Sequence, residues 1–98
     1  MKPLTPTQIT TALRRLPLWM LRSNRIIRWF SFSDFPEAVR FVQRLAPLAE
    51  KAWHHPDIDI RWNRVRIALT THDAGGLTRK DMAMARKLDA LISEQSRD

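Results

Sequence analysis

The sequence predicts an α+β domain in the order α-β-β-α-β-β-α, with three helices packed on one face of a four-stranded antiparallel sheet. Three observations predict it. Three segments carry apolar residues at helical spacing behind capping signals. Short runs with strand character lie between them, the clearest alternating apolar with polar residues. Tight turns rather than long crossovers join those runs, so neighbouring strands pair antiparallel. With 98 residues there is room for one core, and residues 1–98 are expected to form a single domain.

The first helix opens at Thr5-Pro6-Thr7-Gln8, a capping box with proline at the first helical position. Ile9, Ala12, Leu13 and Leu16 form its apolar stripe, and Pro17 is expected to end it. Leu18–Leu21 and Arg25–Phe32 are strand candidates around a Ser23-Asn24 turn. The second helix opens at Asp34-Phe35-Pro36-Glu37, and Ala38, Phe41, Val42, Leu45, Ala49 and Ala52 keep its spacing. Pro47 lies inside that pattern, where it removes the hydrogen bond to the Gln43 carbonyl, so a kink is expected. Ile58, Ile60 and Trp62 alternate with Asp57, Asp59 and Arg61. After Asn63-Arg64, Val65, Ile67 and Leu69 alternate with Arg66, Ala68 and Thr70, giving a second hairpin. A glycine-containing loop, Thr71 to Gly76, leads to the last helix, where Thr78 and Asp81 stand three apart as capping residues do. Met82, Ala85, Leu88 and Ile92 supply its stripe.

Composition narrows the function classes. The chain has no cysteine, which excludes disulfides and thiolate metal sites and fits a reducing compartment. No segment approaches membrane-spanning length and the start lacks a signal-peptide run, so a soluble cytoplasmic protein is expected. The net charge is +7, and it would suit an anionic partner. The arginines are spread along the whole chain without a nucleic-acid motif, however, so a solvated surface is expected and nucleic acid is not.

All three histidines stand at predicted element ends: His54 and His55 after the second helix, His72 after the last strand. Imidazoles beside carboxylates serve either acid–base catalysis or metal binding. Glu50 precedes His54 by four residues, a spacing that lets the two hydrogen-bond on one helix face. The plainer alternative is that His54 and His55 complement the negative end of the helix dipole. Pro56 restricts His55 to extended geometry, so the adjacent imidazoles diverge. That arrangement suits two groups on an organic ligand better than one metal ion, and neither a metal nor another cofactor is expected. His72 occupies a loop at the end of a strong strand, a usual place for a site on a rigid scaffold. Asp81 reads equally well as the capping residue of the last helix and as a site residue, and one carboxylate can serve both roles.

The run Glu50-Lys51-Ala52-Trp53-His54-His55-Pro56, followed at set spacings by Trp62, His72 and Asp81, resembles the signature of the pterin-4a-carbinolamine dehydratases. Ala49-Glu50, His54-His55-Pro56-Asp57, Thr71-His72-Asp73, Gly76-Leu77-Thr78 and Phe30-Ser31-Phe32-Ser33-Asp34-Phe35 ahead of Glu37-Ala38 are similar to that family too. The resemblance implies the fold read above, a homodimer or homotetramer, and dehydration of a 4a-hydroxytetrahydropterin without a cofactor. It gives His54 and His72 the proton transfers, His55 the orientation of the ligand and Glu50 the support of the site. Pro56, Trp62, Asp73, Ala74 and Asp81 join the expected pterin-binding residues, with the Thr71–Ala74 backbone at the pterin edge. Trp53 departs from the small polar or acidic residue usual there, and would border the histidines. The rival expectations are a non-enzymatic dimerisation, assembly or binding module of the same fold, and a small metalloprotein using the three histidines.

Overall fold

The computed structural model describes residues 1–96; Arg97, one of the thirteen arginines, lies outside them. The elements are α1 (Pro6–Leu13), β1 (Met20–Arg22), β2 (Arg25–Ser31), α2 (Phe35–Ala52), β3 (Asp57–Arg61), β4 (Arg64–Leu69) and α3 (Arg79–Ser96). A 3-10 turn over His72–Ala74 precedes α3. The expected order is present, and the sheet runs β1-β2-β4-β3 with every pairing antiparallel.

The capping box of α1 closes in both directions: Gln8 N–H donates to Thr5 Oγ1 (3.2 Å) and Thr5 N–H to Gln8 Oε1 (2.8 Å). The helix stops at Leu13, three residues short of the expected Leu16. From Arg15 the amides bond three residues back, Arg15 to Ala12 and Leu16 to Leu13, because Pro17 disfavours helical geometry at Leu16. Leu16 is nevertheless buried in the core. α2 runs unbroken through Pro47, with Asp34 Oδ1 accepting from Glu37 N–H (3.0 Å) at its start.

β1 and β2 meet at the Ser23-Asn24 turn, as expected. The second hairpin turns one residue earlier than its pattern suggests. Arg61 pairs with Arg64, so Trp62 and Asn63 form the turn, and Trp62 takes a left-handed conformation (φ 51°). Asn63 fixes the hairpin to the end of β2: its Nδ2 donates to Phe32 O (2.9 Å) and its carbonyl accepts from Phe32 N–H (2.8 Å).

The helices cover one sheet face. There Ile26 and Phe30 of β2 meet Val65, Ile67 and Leu69 of β4, with Phe41 and Leu45 of α2 and Met84, Ala85 and Leu88 of α3 in the same core. Phe30 packs on Phe41 with ring centroids 4.7 Å apart. Each such fully buried large side chain contributes about 2–3 kcal/mol of transfer free energy. One charge enters this face. Arg28, its side chain 13% exposed, donates to Asp89 Oδ1 of α3 (2.5 Å). Trp19 Nε1–H donates to the same oxygen (2.8 Å). No helix among the described residues is long and apolar enough to cross a membrane.

Candidate active site

The position of His54 follows from how α2 ends. Trp53 is left-handed (φ 52°, ψ 44°), in the place glycine usually takes. Trp53 N–H donates to Glu50 O and His54 N–H to Ala49 O, the two bonds of a Schellman motif. That reversal takes His54 out of helical phase, so the expected Glu50–His54 contact does not form. Instead His54, 8% exposed, turns inward, and its Nε2 lies 2.6 Å from Asp81 Oδ1. Glu50 bonds His55 Nε2, with both side chains more than half exposed.

Asp81, in the first turn of α3, has no exposed surface. Its Oδ2 accepts from Thr78 N–H (2.8 Å) and from Thr71 Oγ1–H (2.9 Å). The cap expected from the Thr78 and Asp81 spacing is therefore present, and the same carboxylate holds His54. An ionised carboxylate only accepts, which fixes the hydrogen directions around it. Thr71 gives its single hydroxyl proton to Asp81, so in the 2.9 Å contact between the two threonines Thr78 is the donor. Thr78 Oγ1 in turn accepts from Lys80 N–H (3.2 Å). His54 likewise presents Nε2–H to Asp81, which leaves Nδ1 as the acceptor of the neutral ring.

This chain of bonds ties the end of α2 to the loop that carries His72. The loop is closed at its base by the Thr71–Gly76 bridge, and Gly75 (φ 75°) donates its N–H to His72 O (3.0 Å). His72 and Asp73 are exposed, Ala74 is half-buried and its N–H donates to Thr71 O (3.1 Å). Pro56, half-buried, leads from His55 into β3. Trp53 stands edge-on to His55, with ring centroids 5.4 Å apart, and is 73% exposed.

The structure thus gathers Glu50, His54, His55, Pro56, Thr71, His72, Asp73, Ala74 and Asp81 at one end of the sheet. Trp62 is not among them. It lies at the far end of β3 from His55, roughly 16 Å along a strand of this length. Thr78 is a further site residue that the sequence does not announce as one. Its spacing to Asp81 was a legible cap, but its hydroxyl contact to Thr71 spans a loop that has no periodicity. Among the described residues no three of His, Asp and Glu converge to hold a metal ion.

Three imidazoles in three states can exchange protons in distinct ways. His54 is buried with a set tautomer, His55 is exposed and tied to a carboxylate, and His72 is exposed with no side-chain partner among the described residues. The family model for pterin 4 alpha carbinolamine dehydratase matches residues 2–91. This chain belongs to the pterin-4a-carbinolamine dehydratase family. A relative from Chloroflexus aggregans, provisionally named a pterin-4-alpha-carbinolamine dehydratase, is 55% identical over 94% of this chain and 99% of its own. One from Chloroflexus aurantiacus with the same provisional name is 53% identical over the same shares. The crystal structure of a transcriptional coactivator/pterin dehydratase from Brucella melitensis superposes with a TM-score of 0.88 at 39% identity, over 92% of this chain and 98% of that one. A pterin dehydratase-like protein described as a RuBisCO assembly factor in the alpha-carboxysome superposes at 0.61 and 26% identity, over 74% and 84% of the chains. The fold therefore also occurs in a protein described as an assembly factor.

Proposed function

We propose that this chain, as a single domain, dehydrates a 4a-hydroxytetrahydropterin to the quinonoid dihydropterin and so supports recycling of a tetrahydrobiopterin-type cofactor. The observation that carries the reading is the buried His54 held through Nε2 by Asp81, next to the loop bearing an exposed His72. Dehydration breaks the C4a–O bond and removes the N5 proton; the hydroxyl leaves as water. It needs one group that accepts a proton and one that gives one, and imidazole does both near neutral pH.

In this reading His54 and His72 carry the two proton transfers from opposite sides of the pterin ring. The acceptor Nδ1 of His54 suits it to the base role. His55 orients the ligand, Glu50 holds His55, and the backbone of Thr71 to Ala74 meets the pterin edge. Asp81 sets the His54 tautomer, a positioning role. The protein acts in the cytoplasm as a homodimer or homotetramer.

The test is the rate of 4a-hydroxytetrahydropterin dehydration, followed by absorbance with and without protein. His54→Ala and His72→Ala should each slow it by roughly a hundredfold or more, the usual loss for a general acid–base group. Near-normal turnover in both variants sinks the assignment. A non-enzymatic assembly role is the second reading, favoured by the fold's occurrence in the assembly factor. A folded sample that leaves the spontaneous rate unchanged would establish it over the first.

A further inference from the structure

The arginines that look scattered in sequence are sorted by strand register. Because Ile26, Phe30, Val65, Ile67 and Leu69 face the helices, their alternate neighbours face the other way. That outer face carries Arg22 paired with Arg25, Arg66 between Trp29 and Asp59, and Arg64 between Ser31 and Arg61. Among the described residues, the acidic residues on strands are Asp57 and Asp59. Five arginines thus share a face with two aspartates.

One of those aspartates is already occupied. Arg61 donates to both oxygens of Asp59 (3.0 and 3.2 Å). These bonds first, then the charges of Arg61 and Arg66, hold the Asp59 carboxyl below its usual range. Arg22, Arg25, Arg64 and Arg66 form no ion pair among the described residues.

Within the same face lies a cleft of about 770 Å³, its apolar wall made by Met20, Ile27 and Trp29 and its basic wall by Arg22, Arg25 and Arg66. Trp29 is 40% exposed, and Arg64 stands over its ring with Cζ 4.3 Å from the centroid. An aromatic plane is therefore braced on one side by a guanidinium and contributes to the cleft wall. From Arg25 to Ser31, the partner of Arg64, β2 advances six residues, about 20 Å. A single small anion does not bridge that length.

We infer that the outer sheet face binds single-stranded nucleic acid, with Arg22, Arg25, Arg64 and Arg66 on phosphates and a base against Trp29 in the cleft. Unpaired guanidiniums aligned beside an exposed aromatic ring are the elements of sequence-tolerant strand binding. The base that would fill the cleft beside Trp29 is free to do so in a single strand, whereas in a duplex it is paired and stacked. None of the histidines takes part, so the inference stands apart from the dehydratase reading.

The test is fluorescence anisotropy of a labelled twelve-residue oligothymidylate titrated with the full chain across a salt series. Contact with three or four phosphates should give a slope of log K against log salt of about −2 to −3. Arg25→Gln with Arg66→Gln should lower affinity at least tenfold and flatten that slope by about 1.4. Trp29→Leu should weaken binding about tenfold. On the unaltered protein, an abasic oligonucleotide of equal length should bind about tenfold more weakly, which keeps the stacking claim testable if a variant misfolds. Equal affinity for the abasic strand, or equally effective displacement by polyglutamate, would overturn the inference in favour of an acidic protein partner. Absence of binding at 50 mM salt would overturn it outright.

Discussion

The carboxylate of Asp81 serves the helix, the loop and the imidazole at once, so its replacement separates stability from chemistry. Asp81→Ala removes the acceptor for Thr78 N–H, Thr71 Oγ1–H and His54 Nε2–H in a position with no solvent access. At about 1–1.5 kcal/mol for each donor left without a partner, the loss is about 3–4 kcal/mol. That is a large part of the 5–15 kcal/mol typical of a whole domain. With a urea m-value of about 1.5 kcal/mol/M, the midpoint should fall by about 2 M. Asp81→Asn keeps the shape and one acceptor oxygen, so it should cost less than half as much. If its amide NH₂ faces His54, the ring must present a lone pair at Nε2 and carry its proton on Nδ1 instead. Long-range ¹H–¹⁵N NMR spectra would then show the Nδ1–H tautomer, and dehydration would slow by a hundredfold or more while most of the protein stays folded. An unchanged Nε2–H tautomer together with an unchanged rate would refute the role given to Asp81. A stability loss below about 1 kcal/mol in Asp81→Ala would refute the three-bond account.

Three further outcomes are expected. Pro47 is exposed within an unbroken helix, where proline costs about 3 kcal/mol; Pro47→Ala should stabilise the protein by about 2 kcal/mol after the looser unfolded chain is counted, read as a higher urea midpoint. Asp89→Ala strands the largely buried Arg28 and the Trp19 indole N–H, and should cost about 2–3 kcal/mol; Arg28→Met in the same chain should restore part of that, a non-additivity measurable by a double-mutant cycle. Trp53→Gly relieves a left-handed conformation at the loss of little buried surface, so its melting temperature should hold or rise by a few degrees, and a clear fall would show that the Trp53–His55 contact matters more than the backbone.

How much of this was legible in the sequence depends on how local the cause is. Thr5 with Gln8, Asp34 with Glu37 and Thr78 with Asp81 are contacts three residues apart, and each cap forms where the spacing puts it. The alternation of β4 likewise fixes which side chains face the core, whereas Ile58 and Ile60 of the edge strand β3 keep the alternation but stay exposed. Errors arise where the backbone changes course without a sequence marker. The apolar stripe of α1 continues to Leu16 although its helix has already tightened into turns. Trp53 occupies a glycine-type position, and nothing in a tryptophan announces that, so the spacing points His54 to Glu50 rather than to Asp81. Trp62 keeps the strand alternation but is spent in the turn. The arginines show the opposite case: separated by up to 44 positions, Arg22 and Arg66 meet on one face only because β2 and β4 pair.

The sheet order also sets how the chain must assemble. Each edge of the sheet is half of a hairpin closed by a two-residue turn, and such units form in about 1–10 μs. The central ladder instead joins residues 33 to 43 positions apart, with the whole of α2 between them. Early in folding, therefore, two ready hairpins wait for each other with the inner edges of β2 and β4 unpaired. Those edges will accept a strand from another molecule as readily as from their own. Refolding yield should fall as protein concentration rises, although in the native sheet both inner edges are fully covered.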